Sequence, residues 1–158
     1  MEWEVVWDQL SALYTEVIEY VNQHYPDIHA GTSRSASAGR RFAGQALFMY
    51  DPATQEHEDL ILDLQCGPSD SGFYRSDGTV FAGRHPSDAI GFEIQRGSGE
   101  SLALLDPILL PDDETAAAHN DAVTAYMTSV DLFVRRHMSL ILSALNPAAA
   151  HANEHGDE

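Results

Sequence analysis

Lysine is absent from this 158-residue chain, so all eight of its basic residues are arginines. The absence excludes Schiff-base chemistry and the lysine of a Walker-type phosphate loop. Against the arginines stand 25 Asp and Glu residues, which give a formal net charge of -17. Because like charges repel, this balance disfavours nucleic acid and anionic membrane surfaces. We therefore expect no nucleic-acid binding, no membrane binding, and a basic protein as the partner.

Cysteine is nearly absent as well. The single Cys66 excludes an internal disulfide, so nothing in the sequence favours an oxidising compartment. Long apolar runs are also missing, and none approaches the roughly 20 residues of a membrane span. The N-terminus, Met1-Glu2-Trp3-Glu4, carries two acidic residues and lacks the basic and apolar regions of a secretory signal. These absences together predict a cytoplasmic protein.

Helical periodicity marks the two ends of the chain. Apolar residues recur every three or four positions from Glu2 to His24 and again from Asp113 to Leu145. The first stripe consists of Trp3, Val6, Leu10, Leu13, Tyr14, Val17, Tyr20 and Val21. The second includes Val123, Tyr126, Met127, Val130, Phe133, Val134, Met138, Ile141 and Leu145. Pro26 ends the first helix, because the residue before a proline is disfavoured in the α region.

The middle of the chain has the pattern of short strands. Strands are predicted at Phe42–Tyr50, Asp59–Cys66, Phe73–Arg75, Thr79–Gly83, Ala89–Gln95 and Ser101–Leu105. Asp106 and Pro107 are expected to end the last of them. In the second strand Leu60, Leu62, Leu64 and Cys66 share one face and Asp63 lies on the other, which predicts a sheet with one wet face and a buried, inert thiol.

These elements together predict an α+β fold. We expect a two-layer sandwich, in which an antiparallel meander of about five to six strands is covered on one face by the N-terminal and C-terminal helices. Residues 1–147 should form a single domain. Residues 148–158 are rich in acidic residues and His and lack an apolar pattern, so we expect a flexible tail.

Three arginines are concentrated in residues 26–41, a stretch of small residues that reads as a loop. Arg34, Arg40 and Arg41 stand in a region, residues 28–50, that contains no Asp or Glu. Guanidinium groups donate hydrogen bonds in pairs, and a Gly/Ser backbone can approach an anion closely. The loop is therefore a candidate site for a phosphate or carboxylate. The alternative is that its arginines pair with the protein's own carboxylates.

A second polar cluster contains His85 and Asp88. A carboxylate can orient a histidine that titrates near neutrality, so this pair is a candidate for acid–base chemistry. The alternative is a surface turn, which is built from the same residue types. Together with the arginine loop, the pair supports one hypothesis of function: a domain or enzyme that binds a small anionic ligand. We expect no cofactor and no metal ion, because the histidines lack the spacing of metal ligands.

The leading hypothesis is a non-catalytic, acidic protein-binding module. Its first helix carries a row of carboxylates, and the sequence contains no recognisable catalytic constellation. The candidate partner-binding residues are Glu4, Asp8, Glu16 and Glu19. Such a row speeds the encounter with a basic protein through long-range attraction. An inhibitor or immunity-type protein and a chaperone-like adaptor both fit this description, and a structural homodimer is a third hypothesis.

Overall fold

A computed structural model describes residues 3–37, 41–68, 73–74, 80–82, 88–110 and 116–146. The elements are α1 (Trp3–His24), β1 (His29–Ser37), β2 (Arg41–Met49), β3 (Leu60–Pro68), β4 (Phe73–Tyr74), β5 (Val80–Ala82), β6 (Asp88–Gln95), β7 (Ser101–Leu109), α2 (Ala116–Arg136) and α3 (Met138–Ala144). Five of these strands form an antiparallel sheet in the order β1-β2-β3-β6-β7, and β4 pairs with β5. The predicted α+β architecture is confirmed.

Both terminal helical segments pack on the same face of the sheet. On α1, the hydroxyl of the buried Tyr14 donates a hydrogen bond to the carbonyl oxygen of Gly44 in β2, at 2.9 Å. On α2, the ring of Phe133 contacts the ring of Phe92 in β6 edge-on, with centroids 5.9 Å apart. Gly44 and Phe92 belong to one row of cross-strand partners, joined through Leu64, so they lie on one face. The predicted single helical layer is therefore confirmed.

Gly44 sets how closely α1 approaches the sheet. A Cβ atom at this position would lie 2.6 Å from Leu10 Cδ2 and 3.2 Å from Trp7 Cζ3. Because Gly44 has no side chain, α1 packs close to β2. The hydroxyl of Tyr14 therefore also comes within 3.4 Å of the Leu62 carbonyl oxygen. One buried hydroxyl therefore ties the helix to two neighbouring strands.

The predicted loop at residues 26–41 is wrong. Residues His29–Ser37 form β1, and every one of them pairs with β2, from His29 opposite Met49 to Ser37 opposite Arg41. The strand is held by main-chain hydrogen bonds, which do not require apolar side chains. Because its residues 31–35 are all exposed, it lacks the alternation that identifies a half-buried strand.

The predicted end of β7 is also wrong. The strand runs through Asp106 and Pro107 to Leu109. Its register with β6 shifts where these two residues stand opposite Gly91, which is the arrangement of a β-bulge. A proline is compatible with this position because β7 is an edge strand and can lack one N–H donor.

The predicted last helix is divided into α2 and α3 at His137. The His137 N–H donates to the carbonyl oxygens of both Phe133 (3.1 Å) and Val134 (3.0 Å). Ile141 in α3 and Leu145 at its C-terminal end are fully buried. At its end the hydroxyl of Tyr50 donates to the Leu145 carbonyl oxygen at 2.6 Å.

The second face of the sheet is not the wet surface that the alternation predicted. Asp63 is 3% exposed, Glu93 1% and Gln95 2%. Alternation reports which residues share a face, but it does not report what covers that face. These polar residues are part of the interior.

Candidate functional site

All four predicted partner-binding carboxylates are exposed on α1: Glu4, Asp8, Glu16 and Glu19. Two of them pair with the protein's own arginines. Glu4 Oε1 lies 2.9 Å from Arg34 Nη1, and Glu16 Oε2 lies 2.7 Å from Arg135 Nη2. The other two make no ion pair with any described residue. Exposed pairs of this kind contribute only about 0–1 kcal/mol each, but they neutralise half of the predicted acidic row.

Two of the three arginines of the predicted anion-binding loop, Arg34 and Arg41, lie in strands. Arg34 is in β1, where its guanidinium group stands 5.6 Å from the centroid of the Trp7 ring. Since Arg34 also pairs with Glu4, it behaves as the alternative hypothesis expects. Arg41 begins β2. Arg40 lies outside the described residues.

Asp88 begins β6, and His85 lies outside the described residues. The carboxylate of Asp88 is 3.8 Å from Nε2 of His119, a residue of α2. Three strand spacings, about 14 Å, separate the strand of Asp88 from the strand of Arg34. Asp88 and Arg41 do lie at the same end of the sheet, two strands apart. The structure therefore does not bring Arg34 to Asp88, and an anion site at Arg40, Arg41 and His85 stays a prediction.

A row of polar side chains, of which Asp63 and Glu93 are buried and Gln45 is partly buried, crosses the second face of the sheet. Gln45, Asp63 and Glu93 are direct cross-strand partners in β2, β3 and β6. The amide of Gln45 donates to Asp63 Oδ1 at 3.2 Å, and the amide of Gln65 donates to Asp63 Oδ2 at 3.0 Å. Sequence alternation placed these residues on one face correctly, but their burial depends on the tertiary structure.

The pKa of Asp63 is raised. Burial is the main cause, and the negative charge of Glu93 adds to it, whereas the hydrogen bonds from Gln65 and Gln45 act in the opposite direction. The fold therefore favours the protonated form of this carboxyl group. Asp63 lies beside a second buried acid, yet the part of the chain that the structure describes holds no group of three or more His, Cys, Asp or Glu side chains suited to a metal ion.

Cys66 is buried, as predicted. Burial raises the pKa of its thiol to about 12, and the charge of Asp88 acts in the same direction. The thiolate is the nucleophilic form of cysteine. A thiol with this pKa is not a nucleophile at neutral pH.

A groove lies between α1 and α2, with a volume of about 240 Å³. Its lining residues are Val5, Val6, Gln9, Asn120, Val123, Thr124 and Met127. The floor is apolar and buried, and Val5 at the rim is 52% exposed. None of the described residues that line the groove has a titratable side chain, and their apolar surface suits the binding of an apolar group.

Two exposed carboxylates adjoin residues that line the groove. Asp8 precedes Gln9 and lies one helical turn from Val5, whereas Asp121 follows Asn120 and lies one turn from Thr124. Neither carboxylate forms an ion pair with any residue that the structure describes. Sequence reasoning identified Asp8 but missed the groove, because two helices more than a hundred residues apart in the chain create it.

In the described residues, no helix is long and apolar enough to cross a membrane. Comparison of the chain with known proteins found no matching family model, no matching curated protein and no matching solved structure.

Proposed function

We propose that this protein is a non-catalytic, acidic protein-binding module that takes a basic segment of a partner protein into the groove between α1 and α2. The observation that carries the proposal is an apolar groove whose lining residues adjoin two carboxylates, Asp8 and Asp121, that no described arginine neutralises. The fitting occupant is an apolar side chain with arginine or lysine residues on either side of it. An inhibitor or immunity-type protein and a chaperone-like adaptor could both use such a surface.

The size of the groove supports a side-chain anchor over a small-molecule ligand. Pockets for small molecules usually enclose about 300–1,000 Å³, and this groove is smaller, at about 240 Å³. Burying one aliphatic or aromatic side chain contributes about 1.5–3 kcal/mol. The groove therefore contributes only a small part of the binding free energy, and attraction between the surrounding charges must contribute the remainder.

The net charge of -17 adds long-range attraction for a basic partner. Such attraction raises association rates and weakens as salt is added. Asp8 and Asp121 would then pair with basic residues at the rim, whereas Val5 would contact the anchor. Two separable effects follow: charge substitutions should change the association rate, and apolar substitutions should change the dissociation rate.

The apolar contact is tested with Val5→Ser, and Leu132→Ser serves as the matched control. Leu132 is an equally exposed apolar residue, at 50%, and it does not line the groove. Each variant is immobilised, exposed to native extract, and washed at low and then high salt. Proteins retained by the wild type are identified by mass spectrometry, purified and titrated by calorimetry. The expected result is a basic protein that binds the wild type and the control and binds Val5→Ser more weakly.

The charge contribution is tested with Asp8→Asn, for which Glu19→Gln is the control. Both carboxylates are exposed on α1 without an ion pair to a described residue, but Glu19 lies about 16 Å further along the helix. Asp8→Asn should slow association more than the control and reduce its dependence on salt. If the wild type retains no basic protein at low salt, or if Val5→Ser binds as the wild type does, the proposal is wrong.

A further inference from the structure

The outer edge of β1 is an exposed row of main-chain hydrogen-bonding groups. β1 is first in the strand order and pairs with β2 along its whole length. On its other side stands no described strand, and residues 31–35 are exposed. An edge of this kind can pair with another extended chain.

The two edges of the sheet differ in how they are protected. Natural proteins block such edges with proline, bulges or inward-pointing charges. β7 carries Pro107, a bulge and the exposed Asp106. β1 has no proline, and its register with β2 continues over nine residues without a shift. The sequence of β7 therefore blocks pairing at its edge, whereas the edge of β1 keeps a regular strand geometry that allows pairing.

Arg34, the arginine of β1, does not obstruct this edge. Its guanidinium group is drawn towards α1 by Glu4 at 2.9 Å and by the Trp7 ring at 5.6 Å. The neighbouring residues of β1 are small, and a Cβ atom built on Gly31 would meet no other atom within 4 Å. The face of β1 at Gly31 is therefore open.

We propose that the edge of β1 adds an extended, acidic segment of a partner protein as a further strand of the sheet. Pairing through the main chain supplies affinity, and alternate side chains supply specificity. The acidic character is inferred from β1 and β2 themselves, whose charged residues are Arg34 and Arg41, and residues 28–50 contain no Asp or Glu in a chain that is otherwise strongly acidic. The surface is distinct from the groove between α1 and α2, and it selects the opposite charge.

Arg34 fixes where an acidic residue belongs in that segment. A guanidinium group has five N–H donors, and the ion pair with Glu4 uses Nη1. A carboxylate directly opposite Arg34 on the added strand can take the remaining donors. A second copy of this chain is a poor occupant, because pairing two β1 edges brings arginines and two strongly negative molecules together.

The test uses a phage-displayed library of random 12-residue peptides, selected against the full chain. Proline is introduced at Thr32 and, separately, at Ser33. Since the N–H groups of adjacent residues in an antiparallel strand point to opposite sides, one variant blocks the outer edge and the other breaks the pairing with β2. The variant that keeps the wild-type unfolding midpoint is the edge-blocked protein. Selected peptides are synthesised, and their affinities are measured by fluorescence anisotropy.

The expected peptides alternate strand-forming residues with Asp or Glu. They should lose affinity on the order of tenfold or more for the edge-blocked protein, and lose affinity also for Arg34→Gln, but keep it for Val5→Ser. The bound peptide should also slow hydrogen exchange of β1 amides in the wild-type chain. This measurement tests the proposal even if neither proline variant folds. Peptides that leave β1 exchange unchanged, or light scattering that shows dimers formed through this edge, would overturn the proposal.

Discussion

Replacing Gly44 with alanine tests the close approach of α1 to the sheet. The new Cβ atom would lie 2.6 Å from Leu10 Cδ2, about 0.8 Å inside the shortest ordinary carbon contact. Leu10 is fully buried, so it has little room to move. If α1 instead retreats by that amount, the hydrogen bond from Tyr14 to Gly44, now 2.9 Å, lengthens to about 3.7 Å and is lost.

Overpacking at Leu10 and retreat of α1 each lower the free energy of unfolding by a predictable amount. Overpacking a core costs about 1–3 kcal/mol, and loss of one hydrogen bond costs about 0.5–1.5 kcal/mol. The reduced entropy of the unfolded chain offsets about 0.4–1 kcal/mol. We expect Gly44→Ala to lower the free energy of unfolding by up to about 2.6 kcal/mol if the core is overpacked and by up to about 1.1 kcal/mol if α1 retreats. At roughly 2–4 °C for each kcal/mol in a chain of this size, Tm should fall by up to about 10 °C.

The assay is urea unfolding followed by circular dichroism, with Gly31→Ala as the control. A Cβ atom at Gly31 meets nothing within 4 Å. The same substitution should therefore leave stability unchanged or raise it by about 0.4–1 kcal/mol. Equal midpoints for the two variants, at unchanged slope, would refute the close packing of α1 on β2.

Three further predictions concern side chains that are buried or partly buried. The pKa of Asp63 is raised above 3.8 in the folded protein, so the contribution of this group to stability is present below pH 3.8 and is lost as the pH rises. The variant Asp63→Asn should therefore gain stability relative to the wild type between pH 4 and neutrality. A difference in urea midpoint that does not change with pH would contradict this. Tyr50→Phe removes the hydroxyl that donates to Leu145 and should cost about 0.5–1.5 kcal/mol in thermal unfolding, whereas Tyr20→Phe, at an exposed ring, should cost less. Cys66, whose pKa is raised to about 12, should react with iodoacetamide only when urea unfolds the protein; rapid labelling of the native state, followed by mass spectrometry, would disagree.

The elements with buried faces could be predicted from the sequence. The apolar stripe of α1 and the alternation of leucines in β3 report burial directly, since one face of each element avoids water. β1 could not be predicted in this way. Its small polar side chains stay exposed, and the strand exists because β2 offers a main-chain partner. The division of the last helix at His137 was likewise invisible, because the apolar stripe continues through it.

The candidate sites also differ in whether a local sequence pattern or a tertiary contact reveals them. Composition and charge alone gave the expectation of a basic partner, and the place of Asp8 on an acidic helix face made it a candidate. The groove required two helices from opposite ends of the chain to meet, so no local pattern of residues encodes it. The pairing of Arg34 with Glu4 also depends on a contact between elements that are distant in the chain.

The sequence by itself determined which residues share a face of each helix and strand, because side-chain direction follows the local period of the backbone. It also determined the charge of the molecule. Only the tertiary structure decided which of those faces are covered. Asp63 shows the difference: alternation placed it opposite the leucines of β3, but the packing of the whole domain buried it, raised its pKa and set it beside Glu93.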